Sequence, residues 1–308
     1  MAAQQKILVL LDGSKRSLMT VDYLISMPFF RSAKLVLYNV FSAIPESYWD
    51  LEKEPASLHI YHELTAWERE NRKKIDAYMA LVRKRLINAG FAPSAIELKV
   101  HDREKGIARD ILKEAEAGYH TVVLRRRGMG ETEGLSMGSI ATKLLSRITF
   151  LPIQIAGRKA QNKKVIIGVD GSESADQAVD YVAELLGGYD YSVGLIHIIR
   201  GYGASMPEHS SFFMPADSLK ASEKAMREHF QKLREKLIDA GFQPEKVSEK
   251  IITGAHSRAG TIVSEAEIKN YSTIVLGRRG HSRVQEFLMG RVCQKVVHAG
   301  RYHTVWIV

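Results

Sequence analysis

Short runs rich in apolar residues alternate along the chain with longer stretches in which apolar residues recur every three or four positions. The runs fall at residues 7–11, 35–40, 96–100, 122–124 and 153–155, and again at 165–169, 193–198, 247–252, 273–276 and 304–308. They are rich in Val, Ile and Leu, as strands apolar on both faces must be when helices cover a parallel sheet from both sides. Between them, Ile75, Tyr78, Met79, Val82 and Leu86 share one helical face, as do Met226, Phe230, Leu233 and Leu237. Such stripes read as core. Strands and helices in alternation, joined by right-handed crossovers, predict an α/β, doubly wound sheet whose ligands lie beyond the carboxyl ends of the strands. Chemistry is therefore expected in the loops after strands 1, 2 and 4.

The pattern occurs twice. Asp12-Gly13-Ser14 and Val21-Asp22-Tyr23 return as Asp170-Gly171-Ser172 and Val179-Asp180-Tyr181, both 158 positions on. Ala89-Gly90-Phe91 returns as Ala240-Gly241-Phe242 after 151 positions, and Val122-Val123-Leu124 as Ile274-Val275-Leu276 after 152. Four matches in order predict two tandem Rossmann-like domains, each a doubly wound, five-stranded parallel sheet, at residues 1–157 and 164–308. The polar stretch 157–164 reads as their linker. An apolar edge at 304–308 invites pairing with its counterpart at 153–155, so an internal pseudo-dimer through the fifth strands is expected. A homodimer of the whole chain is left open.

Composition narrows the class without choosing a function. With 45% hydrophobic and 26% charged residues in 308, the chain is neither disordered nor fibrous. No run reaches the ~18 apolar residues of a membrane span, and the opening stretch reads as a first strand rather than a signal peptide. A cytoplasmic protein with no membrane partner is expected. The net charge of +9 is scattered, with short clusters at Arg83-Lys84-Arg85 and Arg125-Arg126-Arg127, and reads as solvated surface rather than a nucleic-acid face. Cys293 is the single cysteine, read as a buried helix thiol, which excludes an intramolecular disulfide or a cysteine-cluster metal site. His101, His197, His209, His256 and His281 have no metal-ligand spacing, so no metal is expected. Gly134-Leu135-Ser136-Met137-Gly138 matches a nucleophile elbow in letters only, because the serine does not directly follow a strand. No P-loop occurs, and no catalytic residue is assigned.

The loop after strand 4 carries the strongest signal. In the second copy Gly277-Arg278-Arg279-Gly280 is followed, nine residues later, by Gly290-Arg291 at a predicted helix start. In the first copy Arg125-Arg126-Arg127-Gly128 is followed at the same spacing by Gly138-Ser139. Glycines there would allow positive φ and let backbone N–H groups approach a phosphate, to which the helix N-terminus adds further donors. For Asp12 and Asp170 two roles stand side by side: a turn residue beside the capping Ser14 or Ser172, or a ligand contact.

On these residues both halves resemble universal stress protein domains, over nearly the whole chain. ATP-binding members carry Gly, two residues, Gly, nine residues, Gly, then Ser or Thr after strand 4, with an Asp closing strand 1. The resemblance implies ATP with its phosphates on the glycine loop, its ribose near Asp12 or Asp170, and its adenine at the end of strand 2, where Val40 and Ile198 stand. Both copies depart from the pattern. Arg125 replaces the leading glycine of the first, and Arg291 replaces the small hydroxyl residue of the second. The second copy, with Gly277, Gly280, Gly290, Arg291, Asp170 and Ile198, is expected to be the more complete site. Asp12, Val40, Gly128, Gly138 and Ser139 form the fallback. The expected function is a stress-response protein that binds an adenine nucleotide and hydrolyses it slowly or not at all, with no named protein partner. The competing class is a nucleotide-free module that binds a protein or an apolar ligand, suggested by Tyr48 and Trp49, and by Met206, Phe212, Phe213 and Met214, in the long loops after strand 2.

Overall fold

Every predicted run becomes a strand; most are buried on both faces of a covered sheet, whereas those at 96–102 and 247–255 are half-buried or exposed along most of their length. A computed structural model describes residues 4–42, 58–126, 137–201, 216–280 and 289–308. Contacts divide it into two compact units, Met1–Leu151 and Pro152–Val308. In the first, β1 (Lys6–Leu10), α1 (Leu18–Ser26), β2 (Lys34–Phe41), α2 (Leu58–Asn88), β3 (Ile96–Asp102), α3 (Ile107–Ala115), β4 (Thr121–Arg125) and α4 (Ser139–Arg147) follow in order. β2 pairs with β3, β1 with β2, and β1 with β4, all parallel.

The second unit opens with β5 (Ile153–Ala156) and repeats the pattern: β6 (Lys164–Gly168), α5 (Glu173–Leu186), β7 (Ser192–Arg200), α6 (Ala216–Asp239), β8 (Val247–Ala255), α7 (Arg258–Ile268), β9 (Thr273–Leu276), α8 (Arg291–Ala299) and β10 (Thr304–Ile307). Its strand order is β5-β10-β9-β6-β7-β8. β6 to β10 form the expected five-stranded parallel sheet. β5, the fifth strand of the first copy, runs antiparallel to β10, with Ile155 opposite Val305 and Ile153 opposite Ile307.

The helical stripes bury as expected where the helices lie over the sheets: Met79, Val82 and Leu86 on α2, and Phe230, Leu233 and Leu237 on α6. Ile75, Tyr78 and Met226 are half-buried. Tyr78 stays at the margin because its hydroxyl is 2.5 Å from Ser17 Oγ, an end that needs a polar partner. The stretch 157–164 is not a loose tether. Gly157 N–H donates to Thr304 Oγ1 (3.1 Å), Arg158 and Lys159 N–H to the Tyr302 carbonyl (2.9 and 2.8 Å), and Lys159 Nζ to the Tyr271 carbonyl (3.0 Å). Among the described residues no helix is long and apolar enough to cross a membrane.

Candidate functional site

After β6 the chain must turn sharply into α5, and Asp-Gly-Ser supplies the turn. Gly171 takes φ of 82°, a left-handed conformation that disfavours a side chain. Asp170 Oδ1 accepts from Ser172 N–H (3.1 Å) and Oγ–H (2.5 Å), and Ser172 Oγ accepts from Ala175 N–H (3.3 Å) at the start of α5. The first copy repeats this: Asp12 Oδ1 accepts from Ser14 N–H (3.0 Å) and Oγ–H (2.7 Å), and Ser14 Oγ accepts from Ser17 N–H (3.2 Å). Both aspartates hold turns, and Asp170 also lines a cavity.

A second element shared by the copies comes from strand 2. His197 Nδ1 lies 2.7 Å from the Val169 carbonyl, and Asn39 Nδ2 donates to the Leu11 carbonyl at 2.7 Å. Each ties strand 2 to the residue preceding the aspartate. The histidine therefore carries its proton on Nδ1, and its ring forms part of the cavity wall. Ile198, next along, gives its carbonyl to Arg258 Nε–H at 3.2 Å. Val40, its counterpart, lies in register with His101 on β3.

The loop after β9 departs from expectation in its glycines. None of Gly277, Gly280 and Gly290 has a positive φ; Gly290 sits at φ −63° and ψ 148° as the cap of α8. What they provide is close approach. A methyl group on Gly277 would overlap the Ser174 backbone, and one on Gly280 would overlap Asp170 Oδ2. The Gly290 amide closes the loop by donating to the Arg278 carbonyl at 2.8 Å. Donors for an anion must therefore come from the following amides of the first turn, which have no partner within the helix. In the first copy Gly138 has the same φ and ψ, and its amide donates to the Arg126 carbonyl at 2.9 Å. Ser139 and Arg291 both begin their helices and are exposed. Arg125, where Gly277 stands in the second copy, places Nη2 3.0 Å from Met19 Sδ, and that helix opens through a 3-10 turn, Lys15–Ser17. Gly128 and Ser136 lie outside the described residues, as do the apolar loop residues Tyr48, Trp49, Met206, Phe212, Phe213 and Met214.

Beneath the β9 loop, Arg278 is 6% exposed and Cys293 3% exposed. Burial pushes the Cys293 thiol up to about 12, against a pull from the Arg278 charge, and burial also holds the Arg278 guanidinium below its ordinary value. These elements enclose a cavity of about 610 Å³ at the carboxyl ends of β6, β7 and β9. Among the described residues, Arg200, Arg258, Arg278, Arg279, Arg291 and Lys295 line it, against one carboxylate, Asp170. Among the described residues no group of three or more His, Cys, Asp or Glu could hold a metal ion.

A model of the Universal stress protein family matches residues 4–150 and, separately, 161–307. The chain belongs to this family. It is similar to a universal stress protein from Archaeoglobus fulgidus DSM 4304 at 18% identity, covering 98% of this chain and 95% of that one with a TM-score of 0.59. It is also similar to a functionally unknown protein from Pseudomonas aeruginosa PAO1 at 12% identity, covering 99% and 92% with a TM-score of 0.61. At these identities the likenesses concern the fold. No curated protein sequence matches the chain.

Within this tandem universal stress protein, the structure brings Asp170, Ile198, Gly277, Gly280, Gly290 and Arg291 to one cavity. Sequence reasoning missed His197, Arg200 and Arg258 there. Only the histidine has a counterpart of like role in the first copy, Asn39, a different polar residue at the same 158-residue offset as the aspartates.

Proposed function

We propose that the second unit binds an adenine nucleotide, ATP, with its phosphates against the β9 loop and the start of α8, its ribose near Asp170 and its base near Ile198, as part of a stress response. The observation that carries this reading is the charge of the cavity. Among the described residues, six cationic side chains around a single carboxylate favour a polyanion, and a volume of about 610 Å³ suits a small-molecule ligand. ATP is retained or slowly hydrolysed, because the carboxylate lining the cavity is engaged by the Ser172 turn and is a poor general base. In the first unit Asp12, Val40, Gly128, Gly138 and Ser139 are the fallback.

A second reading has its own support. Gly277 and Gly280 are required by packing against Ser174 and Asp170 without any ligand, so the loop is also consistent with an architectural role in an interaction module. Calorimetric titration of ATP into the parent, Gly290→Val and Gly138→Val proteins separates the readings, with circular dichroism checking that each is folded. Expected is a loss of about tenfold or more in Gly290→Val alone, the scale of one charge-assisted contact. Loss confined to Gly138→Val moves the site to the first unit. No binding by the parent supports the interaction module.

A further inference from the structure

The cations of the cavity form two groups. Arg278, Arg279, Arg291 and Lys295 belong to the β9 loop and α8. Arg200, His256 and Arg258 stand where β7 ends and α7 begins. His256 and Arg258 follow β8, the neighbour of β7, and β6 lies between β7 and β9, so Arg200 rises two strand spacings from the β9 loop, roughly 10 Å at ~4.8 Å per spacing. A nucleotide whose charge sits entirely on the β9 loop brings no anion to Arg200 and Arg258. Arg258 is held at this corner by its Nε–H bond to the Ile198 carbonyl, 3.2 Å long.

The first copy serves as an internal comparison. The ion pair Lys99–Glu114 recurs as Lys250–Glu265, which aligns this region at an offset of 151. At that offset Lys105 and Ile107 occupy the places of His256 and Arg258, and Ser42 occupies that of Arg200 by the strand 2 offset. The first copy fills its loop with an anion of its own. Asp110, 3% exposed, accepts from the amides of Glu104 (2.9 Å), Lys105 (3.1 Å) and Gly106 (3.3 Å). The second copy has Thr261 at that place, so the internal carboxylate is missing and basic side chains line a cavity instead.

We propose that the corner formed by Arg200, His256 and Arg258 is a second anion subsite, and that the cavity takes a nucleotide phosphorylated at two separate positions, the 5′ carbon and the opposite side of the ribose. This rests on the nucleotide reading above. Its test compares adenosine 3′,5′-bisphosphate with ADP, which carries two phosphates at one end only, by calorimetry on the full chain. The parent binds the bisphosphate about tenfold or more tightly than ADP, as one added charge-assisted contact provides. In Arg200→Gln/Arg258→Gln the bisphosphate weakens by about that factor while ADP changes less than about threefold. If ADP binds and the bisphosphate binds no better, the subsite is disproved and the nucleotide site stands. Equal weakening of both ligands also overturns it, since that reports general charge. Binding of neither ligand to the parent overturns both readings. Should the double variant melt early, Arg200→Gln alone is measured against the same criteria.

Discussion

At the scale of single residues, the site is built from side chains whose chemistry is set by depth. Arg278 and Arg279 are neighbours of one type, yet Arg278 is buried and Arg279 exposed, because the chain leaves β9 with alternate residues facing inward and outward. Cys293 lies with Arg278 in the buried layer, and desolvation raises its thiol to about 12. The thiolate is the reactive form, so folded protein at pH 8 is expected to give no colour with Ellman's reagent and one equivalent after denaturation. Rapid reaction of the native thiol would contradict the burial. His197 makes a different expectation testable. Since Asn39 does the same work in the first copy, His197→Asn keeps the donor to Val169 and changes stability by less than ~0.5 kcal/mol in urea melts. His197→Leu strands that carbonyl and costs roughly 1–3 kcal/mol.

Among elements, the loop entering α3 shows how a helix start can be tied down by charge. Burial opposes ionisation of Asp110, but the backbone amides of Lys105, Glu104 and Gly106 outweigh it and hold the carboxyl below its ordinary value. A depressed folded-state value means that this stabilisation is complete above the unfolded carboxyl pKa of ~3.9 and fades as the pH falls through the folded value. Asp110→Asn should therefore melt earlier than the parent at pH 7, with the gap narrowing below about pH 4. A gap that is constant from pH 7 to pH 3 would show that the charge is not what matters. Elements of this kind were only partly legible beforehand. Most strands could be read to within a residue or two, because a run such as Val165 to Val169 is buried on both faces and leaves no alternative, whereas the largely exposed β8 runs three residues past its expected end. Asp170, Gly277, Gly280 and Gly290 were legible as a spacing; of the two reasons expected for the glycines, left-handed backbone is absent, and at Gly277 and Gly280 the close approach is to Ser174 and Asp170. Arg200 and Arg258 were not legible at all. Each is one basic residue among 44, and only the pairing of β7 with β8 places them at one corner.

For the molecule as a whole, the antiparallel pairing of β5 with β10 decides where the chain can be divided. We propose 1–157 and 164–308 as the limits of the two sequence repeats, but 152–308 as the smaller fragment that folds cleanly. Val305, Trp306 and Ile307 are fully buried, and β5 covers the outer edge of β10, with Gln154 Nε2 donating to Tyr181 Oη at 2.8 Å. Tyr181 in turn meets Trp306 edge-on, with ring centroids 5.6 Å apart. Residues 157–161 add their hydrogen bonds to Thr304 and Tyr302 along the same border. A fragment beginning at 164 loses this cover and presents an apolar strand edge, which recruits another strand. Size-exclusion chromatography with light scattering should find residues 152–308 monomeric at micromolar concentration and residues 164–308 dimeric or aggregated. Supplying residues 152–163 as a separate peptide is a change that should restore monomers if edge pairing is the cause, since its Ile153–Ala156 strand covers the β10 edge again. Monomeric behaviour of 164–308 without that change would show that β5 is dispensable and that the repeat limits are also the limits of folding.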